Sequence, residues 1–238
     1  GLAACLTLRP DAPLHMHLAE QVAEVDEVRG AWGARPVEWL LDHAPVDGRW
    51  CLIHCTQMER AETLALADTG AVAGLCPITE SSLGDGIFDG VAWADAGGRF
   101  GIGSDSNIRI SLSEELRTLD YSQRLRDRVR AALATPERST GRVLFEGAVH
   151  GGAQAAGRGP GGLTVGARAD LLALDTRHID LEGRRGDMLL DAWIFAADDR
   201  VVTEVWSAGR HLVSGGRHHA RDAIETGYRA VMRRLKAA

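Results

Sequence analysis

Four times in succession the chain sets a short apolar run ahead of a longer amphipathic one. The apolar runs are "LHMHLA" (14–19), "WCLIHCT" (50–56), "AVAGLCP" (71–77) and "RFGIGSDS" (99–106), and each reads as a strand. The first is followed by "EVDEVRGAWGARPVEWLLDHA", which reads as helices broken near Gly33 and Pro36. "MERAETLALADTG" follows the second, a helix closed by a C-terminal glycine. After the third come an irregular "ITESSLGDGIFDG" and a short helix around Val91 to Ala96. After the fourth comes a long helix, "SLSEELRTLDYSQRLRDRVRAALA", and then "TPERSTGRVLFEGAVHGGAQAA", with Thr135 and Pro136 as N-cap and first helical residue. Repeated β-then-α units predict an α/β fold in which helices wrap a parallel sheet.

From Gly157 the texture changes. "GRGPGG" punctuates the chain, and the pieces after it ("LTVGARADLLALD", "DAWIFAA", "VVTEVWSAGRHLVSGG") read as short β segments of a small antiparallel domain. The tail is an amphipathic helix with Ile224, Tyr228, Val231 and Leu235 on one stripe. The expected divisions are therefore 1–156, 157–218 and 219–238. The chain opens in what reads as the end of a helix, "GLAACLTL", without an initiator methionine, and so reads as a fragment.

The net charge of −6 argues against nucleic acid as a partner, and Lys236 is the only lysine, which excludes lysine-based chemistry upstream of the tail. Cys5, Cys51, Cys55 and Cys76 lack metal-knuckle or redox spacing and sit in apolar sequence, so they read as reduced core residues. With no transmembrane run and no signal peptide, the expectation is a cytoplasmic protein that binds no membrane.

The stretch "PLHMHLAEQ" holds two overlapping metal-site patterns, the His15-x-His17 pair and His17-x-x-Glu20. Residues two apart on a strand face the same way, so either pattern is geometrically sound. In parallel α/β barrels reacting groups gather at the C-terminal ends of strands. His17 lies near such an end and Glu20 just past it, His54 ends the second strand, and Asp105 follows the fourth. One polar residue at a strand end is usually a loop anchor. Three that converge at one level are what a metal site needs.

That order, His-x-x-Glu, then His, then Ser-Asp two strands later, resembles strands five, six and eight of the amidohydrolase superfamily. "LCPITESSLGDGIF" (75–88) and "GSDSNIRISLSEELRTLDYSQRLRDR" (103–128) are similar, more narrowly, to the formimidoylglutamate deiminases. The resemblance implies the second half of a (β/α)8 TIM barrel, strands 5–8, followed by part of a small β-sandwich domain and a C-terminal helix. It implies that "HMH" is not the strand-one metal pair, so His15 is a neighbour. His17 and Asp105 would be ligands of one divalent metal ion, zinc. Glu20, His54 and Asp105 would be the catalytic residues, with His54 bonded to substrate or water. The reaction implied is hydrolysis of N-formimino-L-glutamate to N-formyl-L-glutamate and ammonia in histidine degradation. Superfamily analogy implies a homodimer acting on a small molecule.

The substrate's carboxylates call for arginine, and Arg109 is the nearest, although a surface ion pair is its readier reading. His43, His150, His178, His211, His218 and His219 follow no strand of the series and read as surface or packing residues. A ring deaminase of the guanine, cytosine or triazine type would share His17, Glu20, His54 and Asp105, but not "LGDGIF" or "YSQRLRDR". A reading of another class is an inactive chain, because the remaining metal ligands would lie on strands one to four.

Overall fold

The structure, a computed structural model, describes residues 2–237; residues 1 and 238, at the outer limits of the expected divisions, lie outside them. Helix α1 (Leu2–Leu8) precedes the first of four parallel strands, β1 (Leu14–Leu18), β2 (Trp50–His54), β3 (Val72–Leu75) and β4 (Arg99–Ile102). They form one sheet in the order β1-β2-β3-β4. Between them lie α2 (Val22–Trp32), α3 (Pro36–His43), α4 (Arg60–Asp68), α5 (Pro77–Leu83) and α6 (Gly90–Asp95), and after them α7 (Leu112–Asp127) and α8 (Thr140–Ala155). The α/β class and the parallel sheet are as the alternation predicts. Gly33 ends α2 in the left-handed region at φ 77°, and Pro36 starts α3.

The sheet and its helices bury one continuous core that includes Leu18, Val37, Leu40, Trp50, Leu52, Leu66, Leu75, Trp93, Leu116 and Leu144. Helix α8 lies very close to β4. A Cβ on Gly151 would come within 1.9 Å of the Phe100 carbonyl oxygen, so only glycine allows this approach.

The second sheet is antiparallel, in the order β5-β6-β7-β8 (Leu171–Leu174, Val202–Ser207, Arg210–Ser214, Arg217–His218). Helix α9 (Asp187–Phe195) precedes β6, and α10 (Arg221–Lys236) closes the described chain. Ile224, Tyr228, Val231 and Leu235 are all exposed on α10.

Four expectations are corrected. "ITESSL" is the body of α5 rather than irregular chain, because Pro77 opens a helix whose Ile78 N–H finds a distant acceptor in Glu115. "DAWIF" of "DAWIFAA" is the end of α9, whose Ala192, Trp193 and Ile194 are buried against α8 and the core. The N-cap of α8 is Ser139, which accepts the Arg142 N–H, while Thr135 closes a separate turn by accepting from Glu137 and Arg138. Cys5 is exposed on α1, whereas Cys51, Cys55 and Cys76 are buried, and all four are free thiols. Among the described residues no helix is long and apolar enough to cross a membrane.

Candidate active site

The ends of β1, β2 and β4 leave the sheet through unusual backbone. Ala19 (φ 51°), His54 (φ 72°), Cys55 (φ 54°) and Asp105 (φ 40°) are all left-handed without being glycine. Such residues cost energy and persist only where surrounding structure holds them, and they gather at functional sites. At the end of β1 the holding group is Glu24, in the first turn of α2. Its carboxylate accepts the N–H of Ala19 at 2.8 Å and of Glu20 at 2.7 Å. Beyond β2, the Cys55 N–H donates to Leu18 O at 3.0 Å, tying the two strand ends together.

This backbone brings the predicted side chains to one place. Donor atoms of His17, His54 and Asp105 all lie within 4.8 Å of one another. The His17 and His54 rings are 5.3 Å apart, and Glu20 Oε1 is 3.6 Å from His54 Nε2. His54 is buried, whereas His17 and Asp105 are exposed. Two imidazoles and a carboxylate at this spacing are a donor set suited to a divalent metal ion.

A second layer of carboxylates surrounds the cluster. Glu80, in the first turn of α5, places Oε1 3.2 Å from His54 Nδ1 and accepts the Cys76 N–H at 2.8 Å. Its helix is anchored to the β4 side twice. Thr79 Oγ1 pairs with Ser106 Oγ at 2.9 Å, and the Ile78 N–H donates to Glu115 Oε2 at 2.9 Å. Asp85, buried in the "LGDGIF" loop, lies close enough to Glu20 for its carboxyl to act on the Glu20 pKa. The loop is held because Gln57 Nε2 donates to the Asp85 carbonyl.

The electrostatics follow from that crowding. Burial raises the Glu20 pKa and the Asp85 carboxyl raises it further, against the opposing charges of His54 and His17. For His54 burial favours the neutral ring, but the Glu80 hydrogen bond and the charges of Glu20, Glu80 and Asp105 outweigh it and raise the pKa. Burial lifts Glu115 to about 7, with Glu80, Glu114 and Asp105 adding to it and the Ile78 hydrogen bond opposing. Burial pushes the Cys51 thiol to about 11 and raises Cys55 and Cys76 further, so these three are neutral thiols at physiological pH.

Other candidates fall elsewhere. His15 Nε2 contacts the Ala155 carbonyl at 2.8 Å, at the end of α8. Arg109 pairs with Glu114. His43 stacks on Trp39, and His211 pairs with Glu204 at 2.6 Å. A cavity of about 1020 Å³ opens between β4, α6 and α8, lined by Phe88, Trp93, Phe100 and His150, and it includes none of His17, Glu20, His54 and Asp105. Sequence reasoning missed Glu24, Glu80, Asp85 and Glu115. The available signal for Glu80 was Pro77 at a helix start with an acid in the following turn.

Comparison with known proteins gives this arrangement its context. The chain is 51% identical over 209 residues to formimidoylglutamate deiminase of Pseudomonas aeruginosa, covering 87% of this chain and 46% of that protein. It is 30% identical over 166 residues to a 5-methylthioadenosine/S-adenosylhomocysteine deaminase of Natronomonas pharaonis, covering 68% of this chain and 37% of the relative. The chain thus spans about half the length, or less, of the curated relatives it matches. In structure it resembles an amidohydrolase from Brucella melitensis, with a TM-score of 0.94 at 51% identity over 98% of this chain and 52% of the other. It also resembles an adenosine deaminase from Xanthomonas campestris solved with bound zinc, with a TM-score of 0.87 at 26% identity over 99% and 53%. The model of the amidohydrolase family matches residues 2–212, nearly the whole α/β region and most of the second sheet. With the parallel sheet and a His-rich cluster at its strand ends, that match identifies the chain as a member of the amidohydrolase family.

Proposed function

We propose that this chain supplies the second half of the active site of a metal-dependent hydrolase that converts N-formimino-L-glutamate to N-formyl-L-glutamate and ammonia. The observation that carries the reading is the convergence of His17, His54 and Asp105 within 4.8 Å, with the Glu20 carboxyl beside His54. The Pseudomonas aeruginosa relative supports the choice of substrate. On this reading β1 to β4 are strands five to eight of an eight-stranded barrel, 157–218 is part of a small β-sandwich domain and 219–238 is its closing helix. The enzyme acts as a cytoplasmic homodimer.

His17 and Asp105 would hold one divalent metal ion, zinc, with further ligands from the preceding half of the barrel. When bound, the ion would supply Lewis acidity that brings the pKa of water towards neutrality. His54 Nε2 or Asp105 accepts the proton of the attacking water as its oxygen adds to the formimino carbon. The carbon becomes tetrahedral. Glu20, whose pKa burial raises, gives a proton to the formimino nitrogen as the oxygen adds. The proton taken from water is then returned to that nitrogen, the added hydroxyl gives its own proton back to Glu20, and the C–N bond breaks to leave the formyl group and ammonia.

The test is ammonia release from N-formimino-L-glutamate, with metal content determined on the same sample. It is run on the chain alone and on the chain fused behind the N-terminal half of the Pseudomonas aeruginosa relative. Turnover by the fusion that disappears in Glu20→Gln while metal is retained is the expected result. Turnover indifferent to Glu20→Gln, or ammonia released from S-adenosylhomocysteine and not from the formimino compound, would overturn the reading.

A further inference from the structure

We propose that Glu80 is a positioning residue that fixes the ring of His54 in its Nδ1–H tautomer, so that Nε2 is the nitrogen offered to the reacting cluster. His54 is 1% exposed, and its backbone is left-handed at φ 72°, so its ring direction is not set by ordinary strand geometry. The hydrogen-bond partner behind the ring is Glu80 Oε1, 3.2 Å from Nδ1, with the Cys76 thiol within 4.8 Å of both residues. The same oxygen receives the Cys76 N–H at 2.8 Å and is therefore an acceptor. A proton on that oxygen would meet the Cys76 N–H head on. The Nδ1 atom must then carry the proton and donate it, which leaves Nε2 facing Glu20 at 3.6 Å.

Glu80 is itself built in. It is 5% exposed in the first turn of α5. The neighbouring residues Ile78 and Thr79 are tied to Glu115 and Ser106, on the helix and loop that follow β4. The unit therefore sets His54, at the end of β2, against the loop that carries Asp105. Glu80 touches no reacting atom in this arrangement. It decides which nitrogen of His54 can accept a proton or a hydrogen bond from water or substrate. The bearing on catalysis rests on the cluster described under Proposed function; the tautomer does not.

The experiment separates the two. Long-range ¹H–¹⁵N correlations on the ¹⁵N-histidine-labelled chain report which ring nitrogen is protonated, and the His54 signals are identified by their loss in His54→Asn. The expected pattern is Nδ1–H in the unmodified chain. It should be retained in Glu80→Gln, whose amide oxygen still accepts, and lost in Glu80→Ala. In the fused enzyme Glu80→Ala should lower kcat by about 10- to 100-fold with KM little changed, and Glu80→Gln should recover most of it. An Nε2–H pattern in the unmodified chain would overturn the proposal without any variant having to fold. So would an Nδ1–H pattern that survives in Glu80→Ala. If the tautomer is as expected but the formimino compound is not turned over, the positioning role stands and the substrate assignment falls.

Discussion

Replacing Glu115 with glutamine should stabilise the chain at pH 8 and change little at pH 4. Glu115 is 2% exposed, its Oε2 accepts the Ile78 N–H at 2.9 Å, and its Oε1 is buried without a partner. Burial lifts its pKa from 4.5 to about 7. Below 4.5 the carboxyl is protonated in both folded and unfolded chains and contributes no pH dependence. Between 4.5 and 7 the unfolded chain releases the proton while the folded chain keeps it. The folded state then binds more protons, and stability falls as pH rises. Each unit of pKa difference is worth about 1.4 kcal/mol, so the interval amounts to about 3 kcal/mol, reached just above neutral pH and flat beyond.

Glutamine keeps the carbonyl that receives the Ile78 N–H and cannot ionise. Urea unfolding of the unmodified chain and Glu115→Gln at unit steps from pH 4 to pH 8 measures the gap between them, and other titrating groups cancel in the difference. A gap that widens with pH to about 3 kcal/mol is expected. A constant gap, or one that narrows with pH, would refute the assignment of a buried, reluctant carboxylate.

Two further outcomes follow from the packing and the site. Gly151→Ala would drive a Cβ to 1.9 Å from the Phe100 oxygen and should cost about 2 kcal/mol or more, whereas Gly152→Ala meets nothing within 4 Å and should be neutral or stabilising by up to about 1 kcal/mol; thermal melts of the pair must move in opposite directions or not together. Asp85→Asn removes the like charge that helps raise the Glu20 pKa, so the basic limb of the kcat–pH profile of the fused enzyme should move to lower pH, and a limb that stays in place would separate Asp85 from Glu20 protonation.

The parallel sheet was legible because each strand is a short, largely apolar run set before a longer helix; β2 and β3 are buried almost throughout, and β1 and β4, at the ends of the sheet order, only in part. Helix α5 was not. "PITESSL" has no apolar stripe, and its N–H and hydroxyl groups are satisfied by Glu115 and Ser106, which lie 37 and 27 residues away. Helix α9 failed for the opposite reason. "DMLLDAWIF" is apolar on most sides, because one side packs on α8 and another reaches the core, so the run shows no helical period. Ser139 and Thr135 both satisfy the capping rule. What separates them is Asp187, on α9, which accepts the Ser139 N–H at 3.0 Å.

The site divides along the same line. That His17, Glu20, His54 and Asp105 come together was legible because parallel strands bring their C-terminal ends to one edge of the sheet. The carboxylates that hold them depend on pairings between separate units, and a single sequence does not state those. One regularity cuts across this. The first helix after each strand carries a glutamate in its first turn: Glu24 on α2, Glu62 on α4, Glu80 on α5 and Glu115 on α7. Each accepts a backbone N–H from a strand end or a helix N-terminus, at Ala19 and Glu20, Glu59, Cys76 and Ile78 respectively. The physical cause is shared. A parallel strand that ends at a helix N-terminus leaves N–H donors and positive dipole ends on the face where the chemistry gathers, and a carboxylate in the first turn satisfies both. Glu80 and Glu115 do this where water is excluded. The acid that completes the backbone there is the same acid that orients His54 or resists ionisation.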